Sequence, residues 1–191
     1  MGTEAEIKLP VQDLKVFLGK LGGLRPRRLA ERKFEDNFVL DLPQMKLRDK
    51  GLLLRVRVES GRGILTFKGP AAVSKNFKIR EELETDVQPA EMLEILQKLG
   101  YKISFRYQKY RTVYQAPAGV DKKGRGKPVK VMIDETPIGN FAELEGEPES
   151  VLRLAEVLGY KRKEFILESY YSLFLSYCKK NGCPSRDMVF R

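Results

Sequence analysis

The chain of 191 residues contains no histidine. This absence excludes Ser-His and Cys-His nucleophilic systems, histidine general bases and histidine-ligated zinc. Cysteine is also scarce, since the only two, Cys178 and Cys183, lie near the C-terminus. We expect both thiols to be reduced and unpaired, as in a cytoplasmic protein. Any chemistry must therefore use carboxylates, lysine, arginine, tyrosine or a bound metal.

Long apolar runs are missing too. None approaches the roughly 20 residues that a transmembrane helix needs, and residues 1–8 lack the basic and apolar parts of a signal peptide. We therefore predict a cytoplasmic protein with no membrane partner, and the length suits one domain over residues 1–191. The net charge of +10 favours an anionic partner, although a generally basic protein would show the same excess.

Three amphipathic segments predict helices, each after a charged segment. Each predicted helix has a proline near its start and a glycine at its end: Pro10 and Gly22, Pro89 and Gly100, Pro148 and Gly159. Proline suits the first turn, where the N–H has no partner, and glycine suits the left-handed end. A fourth helix is predicted over about Lys163–Lys179, and the basic run 117–128 predicts an exposed hairpin loop.

Between the helices the residues alternate with the period of two that is typical of strands. Residues two apart share a face of a strand. The charged faces contain Glu4, Glu6 and Lys8; Arg55 and Arg57; Thr66 and Lys68; Arg80, Glu82 and Glu84; Lys109 and Arg111; Glu143 and Glu145. The opposite faces are largely apolar or aromatic. Tyr107 is two residues from Lys109, so we expect it on the same, charged face of its strand.

Two sheet arrangements would give this alternation. In a half-exposed sheet the charges would face water. In a closed sheet they would face inward, and the three amphipathic helices would cover the apolar outer face. Some strands carry carboxylate pairs and others carry Arg or Lys pairs, which favours the closed arrangement. We therefore predict an α+β fold, a closed antiparallel β-barrel with helices packed outside, whose interior is hydrated and balanced by ligands.

The chemistry of the inward faces suggests a ligand. Arginine and lysine clusters suit phosphate oxygens, which arginine can bind with two parallel hydrogen bonds. Paired carboxylates suit Mg²⁺ or Mn²⁺, hard cations that accompany phosphates. Both sets in one cavity indicate a metal-bound polyphosphate.

Six segments, in chain order, resemble motifs of the CYTH superfamily, the triphosphate tunnel metalloenzymes. They are Glu4–Lys8 (Glu-x-Glu-x-Lys), Leu54–Arg57 (Leu-Arg-x-Arg), Leu65–Pro70 (Leu-Thr-x-Lys-Gly-Pro), Arg80–Glu84 (Arg-x-Glu-x-Glu), Lys109–Arg111 (Lys-x-Arg) and the long motif Asp134–Glu145. The last segment resembles the bacterial class IV adenylyl cyclase-like branch in particular. The resemblance covers about residues 4–175 and leaves the tail of the C-terminal region 163–191 without a motif.

The resemblance implies an eight-stranded tunnel and a Mg²⁺ or Mn²⁺ cofactor. It implies metal-binding carboxylates at Glu4, Glu6, Glu143 and Glu145, assisted directly or through water by Asp134 and by Glu82 or Glu84. It implies a triphosphate clamp made of Lys8, Arg55, Arg57, Lys68, Arg80, Lys109 and Arg111. Lys8, Lys68 and Arg111 are the catalytic candidates, with Lys8 as general base or as the group that orients water.

Three functions remain open at this point. The first is hydrolysis of inorganic, thiamine or nucleoside triphosphate, and the second is conversion of ATP to cyclic AMP and pyrophosphate. The third is a non-catalytic RNA- or polyphosphate-binding module, which would have little need for so many aligned glutamates. The expected partner is a triphosphate-containing small molecule, with no nucleic acid except an RNA 5′ end, and the family likeness also suggests a homodimer.

Overall fold

Strands contain more residues than helices in the computed structural model, which describes residues 2–74, 77–117, 126–184 and 186–191. The strands found in those residues are β1 (Gly2–Val11), β2 (Arg27–Asp41), β3 (Leu53–Glu59), β4 (Arg62–Lys68), β5 (Ala72–Ser74), β6 (Phe77–Val87), β7 (Lys102–Ala116), β8 (Val129–Thr136) and β9 (Gly139–Glu145). The helices are α1 (Leu14–Gly23), α2 (Lys46–Asp49), α3 (Pro89–Lys98), α4 (Pro148–Val157) and α5 (Tyr170–Asn181), with 3-10 turns at Pro43–Met45 and Arg162–Glu164. Within the predicted loop 117–128, residues 118–125 lie outside the described residues.

The strands form one antiparallel sheet that curls back on itself. Its order is β1-β9-β8-β7-β2-β3-β4-β6-β5, and β1 also pairs with β6. Every strand except the short β5 therefore has a paired neighbour on both sides. The seam between β1 and β6 is short, since it runs only from Gly2 opposite Glu82 to Glu6 opposite Lys78. This topology confirms the predicted α+β fold with an eight-stranded antiparallel tunnel, although strand pairing does not close it along its full length.

The C-terminal region fills two gaps in the strand pairing. Beyond the β1–β6 seam, Ile166 exchanges two backbone hydrogen bonds with Lys8, of 2.8 and 3.2 Å. On β7, ahead of its pairing with β8, Met188 donates its N–H to the Arg106 carbonyl (2.9 Å) and accepts from the N–H of Gln108 (2.8 Å). The region after the family motifs is therefore an integral part of the tunnel wall.

Helices α1, α3 and α4 pack on the apolar outer face, as predicted. Outward residues of β1, β8 and β9 form the main core with α1 and α4, for example Leu9 and Leu144 against Leu21 and Leu154. A smaller cluster joins α3 to β2 and β3 through Leu96. Since neighbouring residues of a strand face opposite ways, burying these side chains outside the sheet directs the charged ones into the tunnel.

Two predicted helix boundaries were wrong. The first helix begins at Leu14 and not near Pro10, because β1 continues to Val11 and Asp13 caps the helix by accepting from the Val16 N–H. The last helix begins at Tyr170, because the chain before it is held extended by the pairing of Ile166 with Lys8. Both cysteines are unpaired, as predicted. No helix in the described part of the chain is long and apolar enough to cross a membrane.

Candidate active site

A cavity of about 790 Å³ occupies the tunnel. Its wall contains twelve of the residues predicted from the sequence: Glu6, Lys8, Arg55, Arg57, Lys68, Arg80, Glu82, Glu84, Lys109, Arg111, Glu143 and Glu145. Asp134 lies beneath this wall, completely buried. Glu4 lies on β1 with its backbone opposite Arg80, and its side chain is outside the described part of the structure. The alternation of the strands thus brings the predicted charges into one space.

Strand register decides which charges face each other across neighbouring strands. Glu6 is directly opposite Glu145, and Lys8 is directly opposite Glu143. Lys68 is opposite Glu82 on the next pair of strands. Directly opposite residues of antiparallel strands have Cβ atoms about 5 Å apart and on the same face. These three pairings comprise two opposite-charge pairs and one pair of like charges.

Asp134 anchors two of the cavity cations. Its carboxylate accepts from Lys109 Nζ at 3.0 Å, from Arg111 through Nε and Nη2 at 2.6 and 2.5 Å, and from the Tyr170 hydroxyl at 2.6 Å. Arg111 also contacts Glu143 across the cavity wall. Burial lowers the pKa of Arg111, but Asp134 and Glu143 together hold the pKa well above its usual range. The guanidinium therefore remains a fixed cation that faces the cavity.

A second group of cations lines the wall formed by β3, β4 and β6. Arg55 donates to the Tyr107 hydroxyl at 3.0 Å and to Thr66 Oγ1 at 3.1 Å. Arg57 lies 3.5 Å from Glu84. Burial raises the pKa of the Tyr107 hydroxyl, but the Arg55 guanidinium and Lys109 outweigh it and the pKa is lowered. Tyr107 thus faces the cavity, as its parity with Lys109 predicts.

Lys68 and Arg80 complete this wall. Lys68 Nζ lies 2.5 Å from Glu82 Oε2. Burial lowers the pKa of Arg80, and the nearby carboxylates of Glu6 and Glu82 partly offset that effect. Each of these cations has a carboxylate beside it and a face on the cavity, so an anionic ligand would replace or share an existing partner.

The carboxylates of β1 and β9 provide the best fit for a divalent cation. Glu6 and Glu145 are directly opposite on the cavity face. Like charges in this position repel each other, and Lys130, 3.4 Å from Glu145, is partly exposed. In the part of the chain that is described, no group of three or more acidic or cysteine side chains surrounds one point. Two carboxylates suit Mg²⁺ or Mn²⁺, which can take further oxygens from water and phosphate.

Several cavity residues were not predicted. Arg48 lies on α2, its guanidinium 3.9 Å from the ring centroid of Tyr171. The Asp41 carboxylate places α2 by accepting from the N–H groups of Leu47 and Arg48, at 2.8 and 3.1 Å. Tyr171 and Phe105, whose rings are in contact, add an aromatic patch to the cavity wall. No motif marks Arg48, because it belongs to a four-residue helix after the left-handed residues Gln44 and Met45.

Glu35 is a further buried carboxylate that the sequence did not reveal. It lies 3.5 Å from Lys109, 3.8 Å from Arg57 and 3.9 Å from Arg111, and only 2% of its side chain is exposed. Burial raises its pKa, but these cations outweigh burial and lower the pKa from 4.5 to about 2. Glu35 and Asn37 are two residues apart on β2, so their side chains lie on the same face of the strand, and both are buried. The alternation along β2 could therefore have identified Glu35 as a buried residue.

Because the pKa of Glu35 is lowered in the folded protein, we expect the fold to lose stability in acid. Its folded pKa is below its unfolded pKa, so the ionised group stabilises the fold above pH 4.5, and this contribution disappears as the pH falls from about 4.5 to 2. We expect roughly 3 kcal/mol of the free energy of unfolding to vanish in that window, and Glu35→Gln to remove this part of the pH dependence. Urea unfolding at several pH values tests this, with Glu31→Gln, an exposed position on the same strand, as control. Equal pH dependence in wild type and Glu35→Gln would contradict it.

Comparison with known proteins identifies the family. Residues 2–170 match the CYTH domain. The chain belongs to the CYTH family. This confirms the resemblance inferred from the six motifs. CYTH proteins are triphosphate tunnel proteins, typically enzymes, that bind triphosphates such as ATP and generally use a divalent metal.

Individual CYTH relatives agree with this assignment. A Methanocaldococcus jannaschii protein named "Putative adenylate cyclase" is 27% identical over 175 residues, which are 89% of this chain and 97% of that protein. A Vibrio parahaemolyticus structure, also described as a "putative adenylate cyclase", is 20% identical with a TM-score of 0.75 and covers 91% of this chain and 98% of its own. A Hippeastrum structure, described as a "putative adenylyl cyclase" with "a dominant" triphosphatase activity, is 18% identical with a TM-score of 0.65 and covers 92% and 96%. The two structures establish similarity of fold.

Proposed function

We propose that this CYTH protein is a divalent-metal-dependent enzyme that hydrolyses a triphosphate in its tunnel. The observation that carries the proposal is the concentration of Lys8, Arg55, Arg57, Lys68, Arg80, Lys109 and Arg111 on the wall of one cavity. These groups supply seven cations, and each can donate to phosphate oxygens. A triphosphate bears several negative charges in a row, so it suits such a wall better than a neutral or singly charged ligand.

In this proposal the cations bind the triphosphate and offset the charge that develops on the transferred phosphoryl group. Arg111 and Lys109 are fixed by Asp134, and Arg55 is fixed by Tyr107 and Thr66, so little reorganisation is needed during the reaction. Lys8, 3.3 Å from Glu143, is the group proposed to orient the attacking water.

Glu6 and Glu145 are the proposed metal ligands, with Glu4 two residues from Glu6 on the same strand. A bound Mg²⁺ or Mn²⁺ would supply Lewis-acid stabilisation of phosphoryl oxygens. Glu143, Glu82 and Glu84 stay within reach of the cavity, but each contacts a largely buried lysine or arginine, whereas the Lys130 beside Glu145 is 45% exposed. We therefore propose that these three carboxylates mainly hold cations in place. Asp134, with four donated hydrogen bonds, is proposed to do the same for Lys109 and Arg111.

Adenylyl cyclase activity is the second candidate. The observation that favours it is that Arg48, Phe105 and Tyr171 also line the cavity, where an organic group attached to the triphosphate would contact them. The name of the Methanocaldococcus jannaschii relative also favours it. In this reaction the ribose 3′-oxygen of ATP would attack the α-phosphorus and pyrophosphate would leave. The same cations would bind the phosphates.

Product analysis distinguishes the two reactions. The protein is incubated with inorganic triphosphate, thiamine triphosphate or ATP, each with Mg²⁺, Mn²⁺ or EDTA. We expect metal-dependent orthophosphate, which Lys68→Met should reduce by roughly a hundredfold, since it removes a cation 13% exposed in the cavity. Lys98→Met, an exposed position on α3, is the control and should retain full activity. Cyclic AMP with pyrophosphate would establish the cyclase instead, and no turnover of any substrate would contradict both.

A further inference from the structure

The C-terminal segment Phe165–Asn181 reaches the cavity and surrounds one of its lysines. Ile166 pairs with the backbone of Lys8, and the Glu168 carbonyl accepts from Lys8 Nζ at 3.1 Å. The ring centroid of Tyr170 lies 4.5 Å from the same ammonium. Glu143 is the remaining close contact, at 3.3 Å. Three of the four contacts with Lys8 therefore come from a segment that carries none of the charged motifs.

Tyr170 connects Lys8 on β1 to residues of β7 and β8. Its hydroxyl donates to Asp134 Oδ2 at 2.6 Å, and its ring centroid lies 5.3 Å from Lys109 Nζ. Its ring packs on Phe141 and Tyr107, so it has little freedom to turn. Burial, together with the Asp134 and Glu143 carboxylates, raises the pKa of Tyr170 well above its usual value, so the hydroxyl stays a donor. One side chain thus contacts two cavity cations and the carboxylate that fixes a third.

We infer that Tyr170 is a positioning residue for the triphosphate site: its ring face holds the ammonium groups of Lys8 and Lys109 towards the cavity, while its hydroxyl holds Asp134. This inference rests on the proposed function. The sequence motifs place the triphosphate site on strands alone, whereas in this inference the first residue of α5 also helps to position the site. Tyr170 itself touches neither metal nor reacting phosphate in this role.

The physical reason lies in the flexibility of lysine. An ammonium on a four-carbon chain has many rotamers, and a buried one is placed only where neighbours favour a single position. An aromatic face attracts a desolvated cation, so the Tyr170 ring restricts both lysines without using their hydrogens. An ammonium has three donors. Contacts with the ring therefore leave a donor on Lys8 for a phosphate oxygen, in addition to those taken by Glu143 and Glu168.

The test separates the ring of Tyr170 from its hydroxyl. Tyr170→Phe retains the ring, whereas Tyr170→Leu removes both the ring and the hydroxyl. Binding is measured by calorimetry with the bismethylene analogue of inorganic triphosphate and Mg²⁺, since its P–C–P links resist hydrolysis. We expect Tyr170→Leu to raise Kd by roughly tenfold or more and Tyr170→Phe to restore it to within about threefold of wild type. Tyr177→Leu, on the outer side of α5 and 40% exposed, is the control and should leave Kd unchanged.

A double-mutant cycle shows whether the effect passes through Lys8. In a Lys8→Met background, Tyr170→Leu should change Kd by less than about threefold, because two smaller contributions remain: the longer contact with Lys109 and the hydrogen bond to Asp134, whose loss Tyr170→Phe measures. If Tyr170→Leu does not fold, Tyr170→Met, whose flexible side chain can refill the space, takes its place. Wild-type affinity in Tyr170→Leu, or equally weak binding by the Phe and Leu variants, would overturn the inference while leaving the proposed function intact. No binding of the analogue by wild type would overturn both.

Discussion

Glu6→Gln should greatly weaken the response of this protein to Mg²⁺ and Mn²⁺ while leaving the metal-free fold intact. Glu6 faces Glu145 directly across β1 and β9, so the two carboxylates repel each other when no cation lies between them. Replacing one by an amide removes that repulsion, and we expect the free energy of unfolding in EDTA to stay within about 1 kcal/mol of wild type or to rise. The same change removes a charged metal ligand, so turnover should fall by roughly a hundredfold or more.

Thermal unfolding with and without metal measures both effects of Glu6→Gln. Wild type should gain stability as Mn²⁺ is added, because the ion binds only the folded chain, and the variant should gain much less. Glu91→Gln, an exposed position on α3, is the matched control and should show the wild-type response. Glu145→Gln, which changes the other carboxylate of the pair, should weaken the Mn²⁺ response in the same way. A full Mn²⁺ response in Glu6→Gln would remove this pair from the metal site.

The sequence predicted the content of the tunnel because strand alternation is a local property. Once a strand is recognised, residues two apart, such as Glu6 and Lys8 or Lys109 and Arg111, must lie on the same face. The helices then decide which face is inside, since α1 and α4 must cover apolar residues such as Leu9 and Leu144. The family motifs added the number of strands, which alternation alone does not give.

Which charges meet could not be predicted, because it depends on the register between paired strands, which alternation along a single strand does not determine. Lys68 meets Glu82, and Arg111 meets Asp134, only through the pairings of β4 with β6 and of β7 with β8. The depth of a residue is equally non-local. Asp134 and Glu6 look alike in the sequence, yet Asp134 is sealed beneath the cavity wall and Glu6 lines it. The sequence therefore places several carboxylates in one group of metal candidates, although their surroundings in the structure differ.

Asp134→Asn should be among the most destabilising single changes in the chain. Its carboxylate is completely buried and receives hydrogen bonds from Lys109, Arg111 and Tyr170. The amide is neutral, and its nitrogen cannot accept, so Lys109 and Arg111 lose the nearer of the two carboxylates that they share, the other being Glu35. Removing one partner of a buried ion pair costs about 3–5 kcal/mol. Urea unfolding in EDTA should show a loss of this size, against a negligible loss for Asp86→Asn, whose carboxylate is 72% exposed beside Arg62.

The metal response of Asp134→Asn then decides between its two roles. If Asp134 anchors Lys109 and Arg111, the variant should be destabilised without metal, bind triphosphate weakly because these cations lose their fixed positions, and still gain stability from Mn²⁺. If Asp134 is a metal ligand, as the family motifs imply, the variant should lose the Mn²⁺ response, as Glu6→Gln is expected to do. The four donors already around its oxygens favour the first result, since coordination by Asp134 would require Lys109, Arg111 or Tyr170 to withdraw from a site with no exposed surface.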